Sequence, residues 1–440
     1  MATFTVTTRQ DELAQTTDES AESADGNGLS LREAIALAND TEEADEIVFS
    51  DNVFATGDAL DLVIVLLNEP DFGQLEITEP VTIDGGVGDG LRVVLQPRPE
   101  IRAIRIEEDA ETTLSDLDFR EGSPRDGDGG GAILSLSDLT LNGVSVTDAR
   151  TSRDGAAGGA VFVDGDLAVR DSSFTDNATT GAQQGNTPAT GGAIHATGDV
   201  TLTNTDFTGN LTEGGGAEGG AVWAGGALEI DGGTFSGNAT EGEGAEGGAA
   251  YGAAGVGIAN ATFTGNQTGG DSAGGGAVWT EGALDVTSST FTGNETAGAA
   301  SPGGALRGQS AEVADSALDD NQTGGANSGG GAIFAPALVT LSSVEIAGNA
   351  TLGADSPGGA VRAGSVTLVN TSGDLTGNST AGADSPGGAI AAIRNDSVAD
   401  ATGNMLVTGA VLRANETTGP RSEGGALHAD ADATIDSAEI

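Results

Sequence analysis

Gly-Gly-Ala followed by an aliphatic or alanine residue recurs eleven times in register, from Gly130-Gly131-Ala132-Ile133 to Gly424-Gly425-Ala426-Leu427. Eight of the ten steps between copies are 27 to 29 residues. A fixed period of this length means one supersecondary unit stacked on itself, because a single unit cannot bury its own apolar face. Each position of the unit then becomes a column of side chains, and those columns can be read one by one. In the unit 219–246 three short apolar pieces are separated by Gly-rich turns, around Val222, Leu228–Ile230 and Thr234–Phe235. Pieces of 3 to 6 residues with alternating polarity fit strands and not helices. The expected fold is therefore all-β: a parallel β-helix of about 28 residues per coil.

The residue after Gly-Gly-Ala is aliphatic or Ala in every copy, as in Val161, Ile194, Val222 and Val278, so this column points inward. A second inward column holds Phe174, Phe207, Phe235, Phe263 and Phe291, then Leu318, Ile346, Leu375 and Leu412. Three residues further on stands Asn: Asn177, Asn210, Asn238, Asn266, Asn294, Asn321, Asn349, Asn378 and Asn415. Asn tolerates a left-handed turn, and its amide can bond the same amide one coil away, so an internal Asn ladder is expected. Each Asn is followed at the second position by Thr, which makes nine formal glycosylation sequons. A buried Asn cannot carry a glycan, so the Thr column is read as a β-branched fit to a strand edge. The repeat lengthens twice, within 178–190 and between Gly387 and Gly424. Solenoid insertions go outward as loops and often mark a binding face.

The residue after the inward aliphatic should point outward, since strand side chains alternate. That column reads Leu134, Phe162, His195, Trp223, Tyr251, Trp279, Arg307, Phe334, Arg362, Ala391 and His428. It holds both Trp residues, the single Tyr and both His residues, in a chain that is only 3% aromatic. Phe162, His195, Trp223, Tyr251, Trp279, Arg307, Phe334 and Arg362 are therefore candidate binding residues. Two readings compete: outward rings stacked on one another for stability, or a recognition strip for sugars, peptides or a partner protein.

Composition narrows the function. Of 440 residues, 67 are acidic and 16 basic, every basic one being Arg, for a formal net charge of −51. Nucleic acid and anionic lipid are poor partners for such a chain. The Lys-free acidic balance is similar to that of salt-adapted proteins. With no Cys, disulfides and thiolate metal sites are excluded. No nucleophile, P-loop or zinc-binding pattern occurs, so no catalytic residue and no metal ligand set is picked out. The acidic turns Glu241-Gly242-Glu243 and Ala354-Asp355-Ser356 could hold Ca²⁺ weakly.

Residues 1–60 read as an N-terminal cap, 61–129 as irregular first coils, and 130–440 as the regular helix. Strands are expected at 3–8, 46–50, 62–67, 81–84 and 91–96. Leu31, Ala34, Ile35 and Ala38 share one face behind a Ser30/Glu33 capping box, so one short amphipathic helix is expected in the cap. At the other end Ile440 falls in the Phe position, which leads to the expectation that the coils continue into further coils or an anchor.

Leu29-Ser30-Leu31-Arg32-Glu33-Ala34 resembles the domain named for its Cys-Ser-Leu-Arg-Glu-Ala motif, with Leu29 in place of Cys. The pairs Gly191-Gly192-Ala193-Ile194 and Phe207-Thr208-Gly209-Asn210 look like polymorphic outer-membrane protein repeats. The resemblance implies a right-handed parallel β-helix that is secreted or displayed on the cell surface, in the company of autotransported adhesins. The expected function is an adhesin or structural stalk with a surface glycan or protein receptor, not an enzyme. The alternative is a polysaccharide lyase or glycoside hydrolase, since the fold hosts both.

Overall fold

The computed structural model describes residues 1–16, 18–23, 27–55, 62–69, 72–88, 90–183, 188–369 and 373–439. Ile440 and residues 184–187 of the first insertion, for which expectations were stated, lie outside them. The chain divides into two compact units, Met1–Asp206 and Phe207–Ile440. Both are parallel β-solenoids with about 28 residues per coil, as the repeat requires.

In Phe207–Ile440 a coil has four strands, for example Val222–Ala224, Ala227–Asp231, Thr234–Ser236 and Ala239–Thr240. The fourth, carrying the Thr, adds to the three pieces legible in the sequence. Successive coils pair in register: Trp223 with Tyr251, Leu228 with Val256, Phe235 with Phe263, and Thr240 with Thr268. The Gly pair of the repeat follows from this stacking. Gly219 adopts a left-handed φ of 69°. A Cβ on Gly220 would lie 2.0 Å from the Gly248 carbonyl oxygen of the next coil. The first Gly makes the turn and the second lets the coils touch.

The core combines apolar columns with buried polar ladders. Phe207, Phe235, Phe263 and Phe291 stack with centroids 4.5–4.8 Å apart. From Asn210 to Asn378 each Asn amide donates to the next Asn Oδ1 at 2.9–3.0 Å, ending on Asn415. The same Nδ2 groups from Asn238 onward also donate to a carbonyl one coil back, as Asn294 does to Phe263. The ladder is thus satisfied on both sides, which is what burial of an amide demands. In Met1–Asp206, Asn177 accepts from the Ala149 N–H and donates to the Val146 carbonyl. Asn177 and the Asn residues from Asn210 to Asn378 are fully buried.

Two expectations need correction here. The left-handed residue is not the Asn but the one before it, such as Gly237, Gly265, Asp320 or Gly348. Freed from the turn, the Asn amide can point straight along the stack. The Thr column does more than fit a strand edge: Thr240 and Thr268 donate their buried hydroxyls to the carbonyls of Ala245 and Ala273 at 2.8 Å. A third ladder, unread in the sequence, joins Ser301, Ser328, Ser356 and Ser385, each hydroxyl accepting the N–H of the coil before.

In Met1–Asp206 the parallel ladder starts early. Thr3–Val6 pairs with Glu46–Phe49, and Asp45–Val48 pairs with Val81–Asp84. Leu75–Ile77 pairs with Ile104–Ile106, and that strand with Ile133–Ser135. The coil geometry therefore holds where Gly-Gly-Ala is absent, with fully buried Arg102 preceding Ala103-Ile104. Leu31–Ala38 forms the expected helix: Ser30 Oγ accepts from Glu33 N at 3.2 Å, and Glu33 Oε2 accepts from Ser30 N at 2.7 Å. Two further four-residue helices, Glu19–Glu22 and Asp51–Phe54, were not expected. Their single turns are too short to show a 3.6-residue period.

Candidate functional site

The outer column was expected to be exposed, and this is the main correction. Leu134, Tyr251 and Ala391 are buried, and Phe162, His195, Trp223, Trp279, Arg307, Phe334 and Arg362 are half-buried. Residues just before a Gly-Gly-Ala lie against the rings of Phe162, His195 and Trp223. Trp223 Nε1 donates to Glu218 Oε2 at 2.9 Å, and Thr190 Oγ1 lies 2.6 Å from His195 Nδ1. A Cβ on Gly129 would sit 3.0 Å from Phe162 Cδ2. Alternation along the strand does put the column on the outer face, but a neighbouring turn covers that face.

The ring faces are used by one another. Phe162 stacks on His195 at 4.9 Å in the first unit. In the second, Trp223 stacks on Tyr251 at 5.8 Å and Tyr251 on Trp279 at 4.9 Å. Arg307 continues the pile, 5.4 Å from the Trp279 centroid and 6.0 Å from that of Phe334, and Arg362 lies 5.2 Å from Phe334 on its own side. This run, from Trp223 to Arg362, matches cross-strand stacking. Between stacked neighbours, the ring edges remain to meet a ligand.

Charge gathers beside it. Arg307 Nη1 donates to Glu246 Oε1 at 2.6 Å, two coils back. To get there its side chain crosses Gly274, where a Cβ would stand 2.6 Å from Arg307 Cδ. Burial raises the Glu246 pKa to about 7, with Arg307 opposing the shift and Glu218 adding to it. Burial likewise raises Glu218, against the Trp223 hydrogen bond, and raises Tyr251. Burial pushes His195 down to about 3, so it is a neutral ring in the stack. Trp279 Nε1 is buried with no hydrogen-bond partner among the described residues, because its coil has Gly274 where the Trp223 coil has Glu218.

Glu218 and Glu246 were missed because their column was not read. It runs Gly129, Ala157, Thr190, Glu218, Glu246, Gly274, Pro302, Gly329, Pro357, Pro386, Glu423, and its mixture of types hides it from any search for periodicity. Among the described residues, no group of three His, Cys, Asp or Glu side chains is placed to hold a metal ion, the acidic turns at Glu241–Glu243 and Asp355 included. In the first unit a cleft of about 550 Å³ lies beside the Leu31–Ala38 helix. Its arginines already face carboxylates, Arg32 with Asp11, Arg102 with Asp126, and Arg125 with Glu100. Compared with known proteins, the chain matches no family model, no curated protein and no solved structure.

Proposed function

We propose that this chain is a secreted or cell-surface β-solenoid of adhesin or stalk type, meeting its receptor along the edges of the outer column. The observation that carries the reading is the unbroken pile of Trp223, Tyr251, Trp279, Arg307, Phe334 and Arg362 on one outer face. Aromatic and Arg side chains are the usual anchors of an interface, and a rigid pile loses little entropy on binding. The similarity to polymorphic outer-membrane protein repeats and to the Cys-Ser-Leu-Arg-Glu-Ala domain supports surface display. Purified protein tested against immobilised glycans and surface proteins should bind, and Trp223→Ala should weaken that binding while the fold persists. Absence of any bound glycan or surface protein sinks the adhesin half of the reading and leaves the stalk.

One observation favours a second reading, a polysaccharide hydrolase. Glu218 and Glu246 hold equivalent positions on adjacent coils beside the aromatic pile, and Glu246 has a pKa near neutrality. A pair of carboxyl groups, one of them with its pKa raised toward neutrality, is what glycoside hydrolysis uses. Release of reducing ends from a polysaccharide by the protein, abolished in Glu246→Gln, would select this reading.

A further inference from the structure

Six arginines of this chain are buried or half-buried: Arg32, Arg92, Arg102, Arg105, Arg307 and Arg362. Five have a carboxylate within ion-pair distance: Asp11, Asp116 with Asp118, Asp126, Glu107 with Asp128, and Glu246. Arg362 has neither an ion pair nor a hydrogen bond to its guanidinium among the described residues. In a chain with 67 acidic and 16 basic residues, that is the least expected place for an unpaired cation. Burial alone lowers its pKa, and no carboxylate acts against the shift.

The reason lies in the repeat. Arg362 copies Arg307: its stem crosses a Gly, with a Cβ on Gly329 standing 2.5 Å from Arg362 Cδ. Two coils back, where Arg307 finds Glu246, Arg362 would find Pro302. On the next coil its column partner is Ala391, too small to cover the free side of the guanidinium. Half-burying a guanidinium without a counter-ion costs free energy unless something else supplies the charge.

The second irregularity of the sequence builds a pocket at this point. Arg362, Phe334, Pro336, Ile393, Arg394 and Asn395 line a space of about 140 Å³. Its outer wall opens the insertion that lengthens the repeat, and that insertion is tied down. Ile393 N donates to Ala363 O at 2.8 Å, Gly403 N to Gly364 O at 2.8 Å, and Ser365 Oγ to Asp400 O at 2.6 Å. A Cβ on Gly364 would stand 2.4 Å from Ala401 Cβ, so the Gly admits the loop. Arg394 Nε is already engaged by Asp396 Oδ1 at 2.6 Å, which leaves Arg362 as the free charge.

We infer that Arg362 and the 393–395 segment form a binding pocket for a small carboxylate. Its donors are the guanidinium fork and the Asn395 amide, and its walls are Pro336 and Ile393. A planar anion matches the fork. The volume takes a carboxylate with a few carbons, as at the acidic end of a uronate or in a free short-chain acid. The pocket deepens the reading of the outer column as a recognition strip and rests on it only through Arg362.

The test uses the whole chain labelled with ¹⁵N-arginine, in about 0.5 M sodium chloride, where the Debye length near 4 Å screens the net charge. Arg362→Gln assigns the Arg362 Nε–H signal. Acetate and glucuronate should each shift it saturably with a Kd of about 1–10 mM, the affinity of a single charge-assisted pair. Glucose should not. Acetate without glucuronate points to free short acids as the source, and both together to acidic sugars. Asn395→Asp, on the insertion, puts a carboxylate in the pocket and should weaken acetate at least tenfold. No saturable shift up to about 100 mM acetate, or an undiminished one in Asn395→Asp, overturns the inference. A protein that takes acetate but no immobilised glycan or surface protein keeps the pocket and loses the strip. The reverse result loses the pocket alone.

Discussion

Arg307 and Arg362 occupy the same column of the same repeat, stack on the two sides of one ring, Phe334, and cross the same kind of glycine. One ends on Glu246, and the other makes no ion pair or guanidinium hydrogen bond among the described residues. The difference is made by a residue two coils away, Glu246 in one case and Pro302 in the other. A repeat therefore sets where a side chain starts, and its neighbours on other coils set what it does. In one region the outer face is closed by an internal ion pair, and in the other it is open beside an insertion.

Interior columns set the scale for breaking such a pattern. Asn294→Ala removes the acceptor of two Asn266 donors and the donor to Phe263 O and Asn321 Oδ1. Leaving these buried groups unpaired should cost about 3–4 kcal/mol, read from urea unfolding of the second unit. A cost below about 1 kcal/mol would mean that the ladder is ornament. Glu246→Ala comes next. At about pH 8, where Glu246 is ionised, it turns Arg307 into a second Arg362, an uncompensated half-buried cation, and should cost about 2 kcal/mol, less than a fully buried pair because both partners touch solvent. Arg362→Ala should cost clearly less, and equal costs would erase the distinction between the two sites.

The pH dependence of that pair has a definite sign. Burial raises the Glu246 pKa from its ordinary 4.5 to about 7, so its neutral form is the one the fold favours. Between these values the unfolded chain has lost the proton and the folded chain keeps it, so stability falls as pH rises and is flat again above 7. Comparing wild type with Glu246→Gln from pH 4 to 8 isolates this term, of order 2 kcal/mol. A difference that grows in favour of the wild type as pH rises would refute the assignment. The smallest effect expected is from Pro302→Glu, which supplies Arg362 with the acid that Arg307 already has. It should add up to about 1 kcal/mol, the worth of a partly exposed pair, and abolish carboxylate binding. Retained acetate binding in a stabilised Pro302→Glu protein would show that the two arginines are not equivalent after all.

Much of the interior could be read in advance, because an inward column must be uniform to stack. Phe235, Phe263 and Asn266 each meet their own kind one period away, so a simple alignment of the repeat exposes them. The capping box at Ser30 and Glu33 is equally local. The first coils were harder: Ala103-Ile104 lies in register with Ala132-Ile133, but Arg102 stands in place of Gly. The outer site was legible only in part. Its rings were found by their concentration, whereas its polar partners are the turn residues Thr190, Glu218 and Glu246, in a column that elsewhere holds Gly, Ala and Pro.

The sequence by itself determined the period, the parallel stack and the side chains that face inward. Coils about 4.8 Å apart force like residues into contact, and only a repeated residue type satisfies that contact in every coil. Tertiary structure alone decided which outer side chains are covered, which carboxylate reaches which arginine, and where the insertion folds back to wall a pocket. Those outcomes depend on the reach of single side chains across two coils and on glycines that let them pass. Arg307 meets a residue 61 positions away, farther than any repeat motif spans.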